Sequence, residues 1–163
     1  MDQNTALSRV GDHLRAEGFE VSTASLLGLP MTQAVRTQFR WAWLATRLTT
    51  VVTVAVVPSL SLADAQKGVD AALEHSKPLV KGIPGAQSGG MVVPVFLCNQ
   101  VPSEAMDWAG NTIVKRFAFF ATPVLVDTSS GQAAYEHRKP AIGRVYHPYR
   151  LRLIEGIVGA LNA

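Results

Sequence analysis

One cysteine in 163 residues, Cys98, excludes an internal disulfide and with it the stapled folds of small secreted domains. No uncharged apolar stretch reaches the roughly 20 residues that carry a helix across a bilayer. The longest, Leu48 to Ala63, is rich in valine and threonine and interrupted by Pro58, so it predicts a buried strand and then a turn. No basic, apolar, small-residue order marks the first residues as a secretion signal, and a cytoplasmic protein of bacterial type without membrane partners is expected. The four histidines, His13, His75, His137 and His147, lack the HxH and HxxxH spacings of metal sites. Neither GxxxxGK[ST] nor GxGxxG occurs. No cofactor is therefore expected.

The chain does have enough apolar side chains, 48% against 17% charged, to close one core, and a single globular domain over residues 1–163 is predicted. Its net charge of +3 is uneven. Residues 115–152 hold seven cations against two carboxylates, a local +5, which leaves −2 for the rest. Such a segment suits an anionic metabolite, an acidic partner or nucleic acid. Nucleic acid is the weakest of the three, because the aromatic residues are not interleaved with the cations as a base-stacking platform requires.

Along the chain, Leu7, Val10, Gly11 and Leu14 predict a helix capped by Asn4 or Thr5 and closed by Gly18. A short strand at Phe19 to Val21 follows, then a loop with Gly28 and Pro30 and one helical turn from Met31 to Thr37. Phe39, Trp41, Trp43 and Ala45 alternate as one face of a strand, hairpinned to a strand over Thr49–Val57 that is covered on both faces. Ser61 to Asp64 has capping-box spacing and opens a helix that ends before Pro78. A strand from Met91 to Cys98 carries Pro94, which predicts a bulge or an edge. A short helix begins at Pro102 and Ser103. Phe117–Asp127 reads as a strand, turned at Thr128–Gly131 into a hairpin with Gln132–Arg138. Pro148 opens the last helix, with Leu151, Ile154, Val158 and Leu161 on one side, and Gly156 and Gly159 point to close packing. This order predicts an α/β or α+β fold, a mixed sheet of five to six strands with helices packed on it.

The glycine-rich segment KGIPGAQSGG, residues 81–90, follows a helix and precedes a strand. Phosphate loops need the reverse order, so a connector is predicted, long enough from Pro78 to Gly90 to act as a lid or a partner-binding loop. Ligands in open α/β sheets gather where strand leads to helix. Two segments have that order, and if their strands are parallel neighbours, Ser59, Ser61, Asn99, Gln100 and Ser103 line one ligand-binding rim. The alternative is that the two serines only cap helices. Cys98, at a strand end, is expected to be buried and inert.

PVLVD, a turn and YEHRK resemble the hairpin of metal-dependent nucleases of the PD-(D/E)xK type, in which two carboxylates hold Mg²⁺ and a lysine assists the attacking water. The resemblance covers about a dozen residues. It implies catalytic roles for Asp127 and Glu136, with Arg138 standing in the lysine position. The principal reading is a non-catalytic binding or protein-interaction module, a homo-oligomer with a small-molecule or protein partner. The aromatic strand of Phe39, Trp41 and Trp43 and the small residues of the last helix supply the expected homodimer surface.

Overall fold

A computed structural model describes residues 1–83, 85–140 and 143–163. Pro84, inside the glycine-rich segment, lies outside the described residues. Helix α1 (Gln3–Ala16) is capped by Asp2, whose carboxylate accepts the Thr5 amide at 3.0 Å, so the cap stands two residues before the predicted asparagine. The chain then runs as an antiparallel meander through β1 (Glu20–Leu26), β2 (Leu29–Arg40) and β3 (Thr46–Ser59). Helix α2 (Leu62–Ser76) crosses to β4 (Ser88–Gln100), which lies parallel to β3 in the register Val51 to Val92. After α3 (Ser103–Gly110) come four short strands, β5 (Val114–Arg116), β6 (Phe119–Ala121), β7 (Val124–Asp127) and β8 (Gln132–Ala134). Helix α4 (His147–Asn162) ends the chain, with Pro148 in its first turn.

These eight strands make one mixed sheet, two or three more than the sequence predicts. One additional strand comes from a proline, and β5 is another that the sequence does not predict. The expected strand Phe117–Asp127 is cut at Thr122–Pro123 into β6 and β7, both parallel to β4. Each half has its own antiparallel neighbour, β5 and β8 respectively. Pro94 of β4 lies opposite this cut, between Val92, which pairs with Ala121, and Val95, which pairs with Val124. It thus sits in a central strand with neither bulge nor edge, because its missing N–H faces the place where the neighbouring strand is already interrupted.

Helices cover both faces of the sheet. On one, Val10 and Leu14 of α1 and Ile154 and Ile157 of α4 pack on Val52, Met91, Val93 and Val95. On the other, Val69 and Leu73 of α2 and Ala105 and Ala109 of α3 pack on Val92, Phe96 and Leu125. The run from Leu48 to Ala55 is buried at every position, as its unbroken apolar and threonine sequence predicts. Gly68 and Gly156 allow two of these contacts. A Cβ at Gly68 would stand 2.7 Å from the Phe96 ring, and one at Gly156 would stand 2.7 Å from His13 Nε2. The close neighbour of the last helix is therefore α1.

Two segments depart from their expected structure. Residues 31–37 belong to β2 and are not helical. Met31 packs toward α2 and Ala34 toward α1 and α4, so a strand covered on both faces shows a spacing of three. The aromatic alternation from Phe39 to Ala45 runs off the end of β2 into a hairpin turn: Trp41–Trp43 form one turn of 3₁₀ helix, and Leu44 and Ala45 are left-handed at φ 57° and 56°. Trp43 turns inward beside Tyr146 and Tyr149, whereas Trp41 is 81% exposed.

Candidate functional site

The parallel strands β3 and β4 bring the predicted rim together. Ser59 and Gln100 are register partners, and a shallow cavity of about 440 Å³ is lined by Ser59, Leu60, Ser61, Gln100, Val101 and Pro102. All five predicted rim residues are exposed, but Asn99 and Ser103 do not line this cavity. Several of the polar groups are already in use. Ser61 Oγ accepts the Asp64 amide at 3.1 Å and donates to the Asp64 carboxylate at 2.7 Å, which makes it the cap of α2. Ser103 makes no such cap, since the position before α3 is held by Pro102. Gln3 Nε2 reaches into the sheet end and donates to the carbonyls of Val57 and Leu97, at 3.1 and 3.2 Å. The crevice between β3 and β4 is thus filled from the α1 side.

Asp127 ends β7 at this same end of the sheet. Its Oδ1 accepts the Ser129 hydroxyl at 2.6 Å and the Ser129 and Ser130 amides at 2.9 Å each. The Ser129 hydroxyl above all, with these amides, holds the carboxyl down at about 2. Glu136 is elsewhere. Asp127 pairs with Gln132, and Glu136 lies four residues further along the returning chain, beyond the end of β8. There it is buried and gripped by Arg138, whose Nε and Nη2 reach its two oxygens at 3.0 and 2.7 Å. The Arg138 hydrogen bonds are also what hold the Glu136 carboxyl below its usual range. The two carboxylates of the nuclease-like hairpin are not brought together, and Arg138 is a partner of Glu136. No group of three or more His, Cys, Asp or Glu among the described residues is placed to hold a metal ion. Burial, and then the charge of Asp127, push the Cys98 thiol up to about 12, so it stays protonated at neutral pH.

The opposite, amino-terminal end of β3 and β4 has a different character. An apolar cavity of about 290 Å³ is walled by Leu48, Phe119, Phe120 and Tyr146 and floored by Gly89 and Gly90, with Lys115 and Arg116 at its edge. Gly90 is required here, because a Cβ would stand 2.5 Å from the Phe119 ring. The glycine-rich segment is the connector expected from its order, and Gly85, Gln87 and Ser88 form one side of the cavity. It is shorter than predicted, since β4 begins at Ser88 and not at Met91. Thr46 Oγ1 shares a hydrogen bond of 2.6 Å with the Tyr146 hydroxyl, and Tyr146 stacks on Phe120, which ties the β2–β3 turn and the start of α4 to the cavity wall.

Two further features gather at this end. Six of the nine exposed large apolar side chains among the described residues, Phe39, Trp41, Leu44, Ile83, Phe117 and Val145, stand on the loops and strand ends at this end of the sheet. Four of the five non-glycine residues with left-handed backbone are on the same loops: Leu44, Ala45, Gln87 and Ala118. Each costs of order 1 kcal/mol, and such strain collects where a binding loop must hold one shape. Arg47, Lys81, Lys115 and Arg144 belong to the same loops and strand ends, and none forms an ion pair with a described residue.

The +5 segment does not form one patch. Arg116 pairs with Asp70, Arg138 with Glu136, and Arg150 is 1% exposed, donating to the carbonyls of Glu136 and Arg138 at 2.8 and 3.2 Å. Sequence reading found the exposed aromatics but assigned them to a strand face. It missed the cavity, whose walls come from four separate segments, and the only local signal was the glycine pair facing two phenylalanines. No protein-family profile matches the chain, and no curated protein matches it.

Proposed function

We propose that the protein is a non-catalytic interaction module, and that its partner presents an acidic segment with a bulky apolar side chain to the amino-terminal end of β3 and β4. One observation carries this reading: strained backbone, exposed aromatics and unpaired cations surround a single apolar cavity. A cavity of about 290 Å³ lies at the lower edge of small-molecule pockets, which suits one inserted side chain as an anchor. The exposed rim supplies the remaining contact area, and the cations steer and orient an acidic partner.

Charge also bears on the homodimer expected from the aromatic residues. Docking of two copies through this face would bring two faces carrying Arg47, Lys115 and Arg144 together across a two-fold axis. Like-charge contacts of that kind oppose association, so this face is assigned to a different molecule. A cytoplasmic setting goes with this reading, since the fold uses no disulfide.

Selection from a random peptide display library on the immobilised protein tests the proposal. The expected consensus contains Asp or Glu beside Phe, Leu or Trp, and its affinity falls at least tenfold in F117S and in a K115E/R116E pair. A basic consensus, or an acidic one indifferent to both variants, overturns the proposal.

A further inference from the structure

We infer a second, separate site, for a small oxyanion of the phosphate class, in a cavity of about 220 Å³ between α1, α4 and β2. Its lining includes His13, Arg36, Arg40, Tyr149, Arg152 and Gly156. Three arginines, Arg36, Arg40 and Arg152, line this one small space. No carboxylate among the described residues pairs with any of them, although Glu17 also lines the cavity.

What holds Arg36 and Arg40 in place is aromatic stacking, not opposite charge. The Arg36 guanidinium lies 4.4 Å from the centre of the Phe19 ring and 5.5 Å from that of Tyr149. Arg40 lies 4.7 Å from Trp43 and likewise 5.5 Å from Tyr149. Both arginines therefore share the Tyr149 ring and stand within twice that distance of each other. Arg36 is oriented further by donating to the Glu17 carbonyl and, at 2.9 Å, to the Tyr149 hydroxyl. The Tyr149 hydroxyl is itself fixed by Thr50 Oγ1 at 3.0 Å. Arg40 and Arg152 make no side-chain hydrogen bond to a described residue, so their planar sets of N–H donors are unused.

Like charges held close by a rigid aromatic frame, with donors unspent, form a receptor that an anion completes. The size of the cavity decides the class. At about 220 Å³ it is below the range of roughly 300–1,000 Å³ typical of drug-sized ligands, so it takes inorganic phosphate or a compact phosphate ester, not a nucleotide. Gly156 is part of the design, since a side chain there would drive His13 from its place in the wall. This site does not depend on the peptide-binding face, which uses none of these residues.

Calorimetric titration with inorganic phosphate, against chloride at matched ionic strength, tests the site, with thermal unfolding of the same samples. One phosphate per chain is expected. R40Q and R152Q should each weaken it at least tenfold, and R40K should weaken it too, because a lysine lacks the planar fork. R116Q at the other cavity should leave it unchanged. R152Q, at an exposed position, should also raise the unfolding midpoint in phosphate-free buffer by relieving repulsion, the opposite of what loss of a structural contact does. The inference is overturned if phosphate binds no better than chloride, if R40Q and R152Q bind it as the parent does, or if only a single-stranded oligonucleotide binds.

Discussion

The two ends of the parallel strands β3 and β4 differ in how their polar and apolar groups are spent. At the carboxyl-terminal end, Gln3 saturates the carbonyls of Val57 and Leu97, Ser61 caps α2, and Asp127 collects three donors from its own turn. At the amino-terminal end, backbone strain, exposed rings and unpaired cations are left over. A ligand gains from groups that the fold has not already satisfied. The rule that sites collect at carboxyl ends of strands points here to an end where several of the polar groups, Ser61 and Asp127 among them, are already engaged within the fold.

Four changes sharpen this contrast. The largest effect is expected from Arg150→Met, which fills similar space but leaves the carbonyls of Glu136 and Arg138 without their donor, at a cost of about 3 kcal/mol in urea denaturation. Next, Gly90→Val should cost about 2 kcal/mol by the same measurement and close the cavity beside Phe119, abolishing peptide capture while phosphate titration is unaffected. An equal loss of both ligands would merge the two ends into one unit. At the other end, Asp127→Ala should cost about 1 kcal/mol at neutral pH through the lost turn bonds, with peptide affinity unchanged. Its pH signature has a definite sign. The folded carboxyl lies at about 2 against an ordinary 3.8, so its stabilisation is complete above the ordinary value and disappears as pH falls through 2. Urea midpoints of parent and variant should therefore converge between pH 4 and 2. The smallest effect is Ala45→Gly, which relieves a left-handed alanine and should stabilise the fold by up to about 1 kcal/mol, while loosening the turn enough to weaken peptide binding severalfold in anisotropy titrations.

All four helices were legible in the sequence because each buries one stripe, as Val10 and Leu14 do in α1 and Val69, Ala72 and Leu73 in α2. The mixed sheet was legible from the continuous apolar runs of β3 and β4. Strand β2 was not, because Met31 and Ala34 serve opposite layers and no period of two survives. Its misreading over residues 31–37 hid Arg36, and with it the arginine cluster. The β2–β3 turn was hidden for another reason: Leu44 and Ala45 adopt a backbone that sequence signals assign to glycine or asparagine. The polar rim was anticipated from strand-to-helix order and its parallel neighbours were found, but no local pattern indicates that Gln3, over 50 residues away, occupies the crevice behind it.

The cut at Thr122–Pro123, facing Pro94, divides the outer part of the sheet into two pairs that share only β4 as support. Strands β5 and β6, which carry one wall of the apolar cavity, are therefore paired into the sheet independently of β7 and β8. In hydrogen-exchange terms, the amides of β5 and β6 are expected to exchange independently of those of β7 and β8.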